Sequence, residues 1–402
     1  MNRINPDAVA DIHFEVNWKS SESVHSEHYE ANNVNFYRDC MPEKLIARLD
    51  GKTTGDMIQI DFKPGIMVSG HDMRNTFDVK RAQFNRRFKS NGNIVPRVGR
   101  FYPKGILENI SGIFPQNIQP FRCVGIENNH LVVDFNHPLA KSETHIKGTV
   151  KSVCEKTVDR GGSCNDWMEL ISNGPGMQTR WEKHPTDFFS DTPFKREDET
   201  PDDRFYQQPR FVHHIDENAV KLVTDIYGRF LQDDMQVLDL MSSWTSHIPD
   251  SVNLKKFTGI GLNQKELDKN TRLTNRIVHD LNQNPALPLE TGSYDATICS
   301  LSIEYLIHPF EVFNEVARVL KSDGQFIITF SNRWFPPKVT RIWKELHDFE
   351  RMGVVLEYFL QSGLFKDIQT YSMRGLPRPQ HDKYFSENRL SDPIFAIWGS
   401  KI

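Results

Sequence analysis

From about Phe205 to Ile402, short apolar runs alternate with stretches of helical period, and this alternation limits the fold more than any other feature. The runs at Val237–Leu240, Lys256–Gly261, Arg276–His279, Tyr294–Ser300 and Gln325–Phe330 read as strands, several apolar along most of their length as strands buried on both faces are. Between them, Asp216–Leu231 carries Ala219, Leu222, Val223, Ile226, Tyr227 and Phe230 at helical spacing. Phe310–Leu320 puts Phe313, Val316, Ala317 and Leu320 on one helical face. A long helix is expected after Pro336-Pro337, burying Val339, Ile342, Trp343, Leu346, Phe349 and Met352. Two further strands are expected at Phe365–Tyr371 and Ile394–Trp398. Such alternation predicts one α/β sheet.

In open α/β sheets, ligands bind beyond the carboxyl ends of the strands. Met235–His247, reading M-Q-V-L-D-L-M-S-S-W-T-S-H, places Asp239 inside an apolar run that ends at Ser242-Ser243. A carboxylate near the exit of a buried strand is costly without a partner. Asp239 therefore reads as the start of a nucleotide-type site, with the Ser-Ser turn letting backbone N–H groups approach a ligand. A core strand followed by a helix N-cap at Ser242 or Ser243 is the other reading.

The charge balance, 49 Lys+Arg against 53 Asp+Glu for a net −4, carries no nucleic-acid footprint. No apolar run approaches the roughly 20 residues of a membrane helix. The first seven residues lack the apolar core of a signal peptide. Five cysteines (Cys40, Cys123, Cys154, Cys164, Cys299) are scattered without a CxxC pair, which predicts reduced thiols and a cytoplasmic protein. His25-x-x-His28 has chelating spacing, but no Cys or further His completes a set beside it, so no metal site is expected.

Residues 1–155 read as mostly β. Ile12, Phe14 and Val16 alternate with polar residues, as does Met57–Phe62, and Arg122–Ile126 with His130–Asp134 reads as a hairpin around Glu127-Asn128-Asn129. Thr144–Val153 is a further strand candidate. Residues 156–204 break every period, at Gly161-Gly162, Asn173-Gly174-Pro175-Gly176 and Lys195–Glu199, and read as a connector. Its Trp167, Met177, Trp181, Phe188, Phe189 and Phe194 are too many for a free linker, so it is expected to pack, or to serve as a lid.

Within 205–402, Glu315–Phe330 (E-V-A-R-V-L-K-S-D-G-Q-F-I-I-T-F) resembles the E-x-x-R-V-L-K-P-G-G helix-to-strand turn of class I S-adenosylmethionine (SAM)-dependent methyltransferases of the type 11-like group. Tyr294–Cys299 resembles that family's fourth strand, and His279-Asp280-Leu281 the acidic turn after its third. The resemblance implies a Rossmann-like seven-stranded sheet with its last strand antiparallel, and SAM as cofactor. The usual first motif, D-x-G-x-G-x-G, here reads Asp239-Leu240-Met241-Ser242-Ser243-Trp244, and Asn263 stands near the usual ribose carboxylate. Carried over, Asp239 accepts from the methionyl ammonium, and Met241, Ser242 and Ser243 lie along the methionyl group and ribose. Asn263 meets the ribose, Asp280 takes the adenine amine, Leu281 offers its backbone N–H, and Ser300 and Leu301 floor the methyl. A turn cap at Asp280 and an ordinary small strand-end residue at Ser300 are the plain alternatives. Family members often fold a segment like Asp203–Asp216 over the cofactor. That makes Tyr206, Arg210 and His214 candidate catalytic residues, Arg210 for a carboxylate and His214 as a base; helix capping and surface packing also account for them. Arg333-Trp334-Phe335 reads as an acceptor wall or as a common loop. The acceptor is expected to be a small molecule or a protein side chain.

His130–Ala140 (H-L-V-V-D-F-N-H-P-L-A) resembles the V-V-D-x-N-H-P-L-A run of SlyD-like FKBP-type prolyl isomerases, and Leu49–Asp56 their L-x-G-x-x-x-G-D turn. This implies a mainly β (α+β) module that takes a prolyl-containing peptide, with a chaperone flap placed at Val95–Pro120. The family's pocket aromatic falls at Ile146, which predicts weak isomerase activity or none. The expected layout is a SlyD-like module at 1–155, a connector or lid at 156–204 and a methyltransferase domain at 205–402. A prolyl isomerase or folding factor with a non-catalytic methyltransferase fold is the alternative.

Overall fold

A computed structural model describes residues 2–88, 94–156 and 164–402; Gly161-Gly162 lies outside them. The chain forms two compact units. The first comprises Met1–Ser21, Ala31–Asp191 and Leu346–Val354, and the second Glu22–Glu30, Thr192–Glu345 and Val355–Ile402. The division between residues 191 and 192 falls inside the expected connector.

The N-terminal strands are β1 (Ala8–Lys19), β2 (Val24–Asn35), β3 (Met57–Phe62), β4 (Thr76–Lys80), β5 (Phe101–Pro103), β6 (Pro120–Glu127), β7 (His130–Asp134) and β8 (Thr144–Glu155). In the first unit β8 lies antiparallel between β1 and β3, with Ile146 opposite both Val16 and Ile60. Period-two alternation along β1 buries Ala8, Ala10, Ile12, Phe14, Val16 and Trp18. Between β3 and β8 the chain builds a second antiparallel sheet, β4-β7-β6-β5, over its own core of Val79, Phe84, Tyr102, Phe121, Leu131 and Val133. This insertion is larger than the flap expected at Val95–Pro120, because the hairpin β6–β7 and β4 share its apolar face. The connector's first part packs in this unit: Trp167, Met177 and Phe188 are buried, and Trp167 donates its indole N–H to Asp39 at 2.8 Å. The Sγ atoms of Cys40 and Cys164 lie 3.5 Å apart.

The second unit adds β9 (Gln236–Leu240), β10 (Lys256–Gly261), β11 (Asn275–Val278), β12 (Tyr294–Ser300), β13 (Leu320–Phe330), β14 (Phe365–Arg374) and β15 (Ile394–Lys401). Their order is β11-β10-β9-β12-β13-β15-β14, and β15 runs antiparallel to both neighbours. The chain order reverses between β9 and β12, which opens a crevice at the carboxyl ends. The helix Glu217–Tyr227 is capped by the Asp216 carboxylate, which accepts from Asn218 N and Ala219 N. The helix Pro309–Val319 opens with proline at its first position, where a missing N–H costs nothing.

Two features depart from the expected sheet. Val24–Tyr29, the first half of β2, pairs in parallel with Gln369–Arg374 and adds an eighth strand. His25 is buried there, its ring nitrogens 3.0 Å from Ser23 Oγ and 2.7 Å from Thr370 Oγ1, and burial pushes its pKa down to about 3. The single long helix expected after Pro336-Pro337 is two, Arg341–Glu345 and Asp348–Ser362, parted where His347 Nδ1 accepts from Phe349 N. No described helix is long and apolar enough to cross a membrane.

Candidate functional site

A cavity of about 330 Å³ opens in the second unit at the carboxyl ends of β9, β10 and β12. Leaving β9, the chain turns through Met241 at φ +57°, a left-handed conformation more usual for glycine. Met241 stands at the first glycine of the family motif, so the backbone shape persists at a cost in strain. The close approach is made possible from the neighbouring strand. A Cβ on Gly261 would lie 2.2 Å from Ser242 O, and one on Gly259 2.9 Å from Ser242 Oγ, while Ser242 N donates to Ile260 O at 2.6 Å. Trp244 lines the cavity, its ring 4.7 Å from that of His213.

Asp239 is 2% exposed. Its Oδ2 accepts from the hydroxyls of Ser242 and Ser246, each at 2.5 Å, and Oδ1 has no hydrogen-bond partner among the described residues. Burial pushes its pKa up to about 6, against the pull of the two hydroxyls. Ser246 is held in turn by Asn270 Nδ2 at 2.8 Å.

Asn263 is occupied differently from the ribose contact expected of it. Its Oδ1 caps the helix Gln264–Lys269, accepting from Lys265 N and Glu266 N, and its Nδ2 donates to Tyr206 O and Gln207 O. Both donors and two acceptor positions are thereby used. The carboxylate nearby is Glu266, which accepts from Arg210 N at 2.7 Å and Ser243 Oγ at 2.6 Å. Asp280 caps its own turn through Oδ1, bonded by Asn282 N and Gln283 N, while Oδ2 has no partner among the described residues. Leu281 is buried beside it. The Ser300 hydroxyl faces the buried Tyr227 hydroxyl at 2.7 Å, and Leu301 follows at φ +52°. All nine expected cofactor residues line the cavity.

Tyr206, Arg210 and His214 line it too. The Arg210 guanidinium sits 4.6 Å from the Phe205 ring centre and 5.1 Å from that of Phe335, and donates to Phe205 O. His214 packs edge-on against Phe335 at 4.9 Å, and burial, then Arg210, lowers its pKa. The chain leading into this segment is pinned. Lys338, fully buried, reaches Asp198 and Asp202, and Arg196 Nη1 meets both oxygens of Asp202 at 2.8 Å. Sequence reading missed Ser246, His247, Glu266, Tyr305 and Tyr384. Only Glu266 carried a signal, three residues after an Asn N-cap as in a capping box; Tyr305 ends a short 3-10 helix and the rest arrive from loops.

Residues 242–328 match the family described as a methyltransferase domain. No curated protein matches the chain. Among solved structures, the methyltransferase in a Haloferax volcanii complex with the Trm112 methyltransferase activator is similar at 15% identity, over 50% of this chain and 93% of that one, with a TM-score of 0.35. A SAM-dependent methyltransferase from Thermotoga maritima is similar at 13% identity, over 50% and 94%, with a TM-score of 0.34. One from Aquifex aeolicus is similar at 15% identity, over 50% and 97%, with a TM-score of 0.31.

Proposed function

We propose that this chain, whose second unit is a class I SAM-dependent methyltransferase domain, transfers a methyl group to a small molecule or a protein side chain. SAM is the cofactor of that domain. The observation that carries the reading is Asp239: a buried carboxylate at the switch point with one oxygen unspent among the described residues, beside a turn cleared by Gly259 and Gly261. Such a group is costly to bury without a cation. The cavity offers what the cofactor needs, with Asp239 Oδ1 for the ammonium, the Met241–Ser243 backbone for the methionyl and ribose portion, and Asp280 Oδ2 with the Leu281 backbone for the adenine. Asn263 is a positioning residue, tying Tyr206 and Gln207 to the helix that carries Glu266.

When bound, SAM would supply an electrophilic methyl on its sulfonium. The protein's share is alignment, for which well-oriented reactions gain up to about 7–11 kcal/mol. The acceptor heteroatom directs its lone pair at the methyl, and His214, neutral at physiological pH, takes the proton of an acceptor that arrives protonated. Tyr206 and Arg210 wall the cavity on the same side.

For the first unit we infer a SlyD-like FKBP-type module with weak or absent isomerase activity. Its support is the inserted four-stranded sheet together with the Asp134–Ala140 run. Asn136 there accepts from Asp72 N at 2.8 Å and donates to Asp134 Oδ1 at 2.7 Å, so its side chain is spent on locking the turn. A protease-coupled peptide assay reaching the rate of an active family member contradicts this.

Titration calorimetry of the full chain with SAM and with S-adenosylhomocysteine (SAH), followed by an acceptor screen, tests the transferase. Failure of the folded protein to bind either ligand at millimolar concentration overturns it.

A further inference from the structure

The acceptor half of the cavity contains a cation whose terminal nitrogens have no hydrogen bond among the described residues. Arg333 follows β13 and lines the cavity. Its Nε donates to Asp392 Oδ1 at 3.0 Å, and its guanidinium carbon sits 4.6 Å from the Tyr384 ring centre. Both supports are themselves held. Asp392 is buried, with Oδ1 shared by Arg378 Nη2 at 2.7 Å and Oδ2 accepting from Asp216 N at 3.1 Å. Tyr384 N is bonded to Asp382, which is paired with Arg378. The two terminal nitrogens of Arg333 make no hydrogen bond among the described residues, and the side chain remains 35% exposed. A guanidinium fixed by Nε and by stacking presents its far edge as a two-pronged donor, whose geometry matches a carboxylate.

Two other carboxylates that line the cavity, Asp202 and Glu266, are engaged elsewhere. Asp202 is taken by Arg196, Lys338 and Asn282, and Glu266 by Arg210 N and Ser243. The remaining walls are flat. Tyr305 and Phe335 lie nearly parallel, 6.0 Å apart at 29°, with the Tyr305 hydroxyl fixed by Phe335 N at 2.8 Å. These walls and the residues proposed for the cofactor line one cavity of about 330 Å³, so the acceptor and the cofactor would share it.

We propose that the methyl acceptor is a small planar molecule bearing a carboxylate, held with that carboxylate on the Arg333 fork and its plane among Tyr384, Tyr305 and Phe335. The proposal deepens the transferase reading and rests on it for the word acceptor. The anion site itself stands on Arg333 alone.

The test is calorimetry on the full chain, without and with saturating SAH, using 4-hydroxybenzoate and indole-3-acetate beside their neutral amides. Each acid is expected to bind at least tenfold more tightly than its amide. Arg333→Gln should erase that preference, and Arg333→Lys should keep part of it, since charge survives and the fork does not. The acid-to-amide comparison in the unaltered protein needs no variant to fold. Equal binding of acids and amides, absence of binding by either acid, or a preference that survives Arg333→Gln overturns the proposal. An intact preference in a protein that fails to bind SAH overturns the transferase reading and leaves the anion site standing.

Discussion

Replacing Asp239 by asparagine should separate stability from cofactor binding. The carboxyl is raised from 3.8 to about 6 by burial. At 1.36 kcal/mol per unit, keeping it ionised costs the ligand-free fold about 3 kcal/mol. The sign follows from linkage: the folded-state pKa lies above the unfolded one, so the folded state binds more protons between the two values, and stability falls as pH rises through that window. Below it both states are protonated and the cost vanishes; above about pH 6 it is fully present. The amide introduced by Asp239→Asn would be neutral throughout, and the Ser242 and Ser246 hydroxyls can still donate to its oxygen. Allowing for the charge-assisted character those bonds lose, Asp239→Asn should stabilise the ligand-free protein by roughly 1–3 kcal/mol at about pH 8, and by about half as much at about pH 5. Urea denaturation at both pH values measures the gain, and calorimetry the affinity for SAM, expected to fall at least tenfold. A variant that is less stable at the higher pH, or whose gain does not shrink at the lower, refutes the argument from burial. Undiminished SAM affinity refutes the placement of the ammonium.

Gly261→Ala drives a methyl into Ser242 O, so SAM affinity should fall at least tenfold with about 1–3 kcal/mol of destabilisation, read by calorimetry and denaturation. Asn263→Ala removes a helix cap worth about 1–2 kcal/mol and unties Tyr206 and Gln207, so amide exchange across 204–211 should accelerate. Mild oxidation with a disulfide reagent should join Cys40 to Cys164, detected by mass spectrometry of the unreduced protein; closing so long a loop adds about 4–5 kcal/mol in the chain-entropy account.

The strands of the second unit were legible because burial on both faces leaves continuous apolar runs, as at Val237–Leu240. That the residues proposed to hold the cofactor line one cavity follows from a related feature: most of them directly follow those strands. What was hidden lies where polar groups are buried by distant partners. Val-His-Ser-Glu-His-Tyr at 24–29 has no apolar period, since His25 and Glu27 are satisfied by Thr370 and Ser372. Asn263 was expected to meet the ribose because sequence shows the side chain and not the two carbonyls it serves. Tyr384 reaches the cavity from the long β14–β15 connection, and no local pattern announces that.

The strand at Val24–Tyr29 also bears on how the protein is made. Its partners Gln369–Arg374 lie 345 residues downstream. At ribosomal rates of roughly 5–20 residues per second, the early strand waits roughly 20–70 s before the edge it completes has been synthesised. Throughout that interval residues 31–191 can fold, while the edge of β2 that carries His25 and Glu27 toward β14 awaits its partner. The second unit therefore closes its sheet last, with a segment made well before the rest of that unit, and a fragment beginning at Thr192 would leave β14 with an open edge, the kind of surface on which chains aggregate.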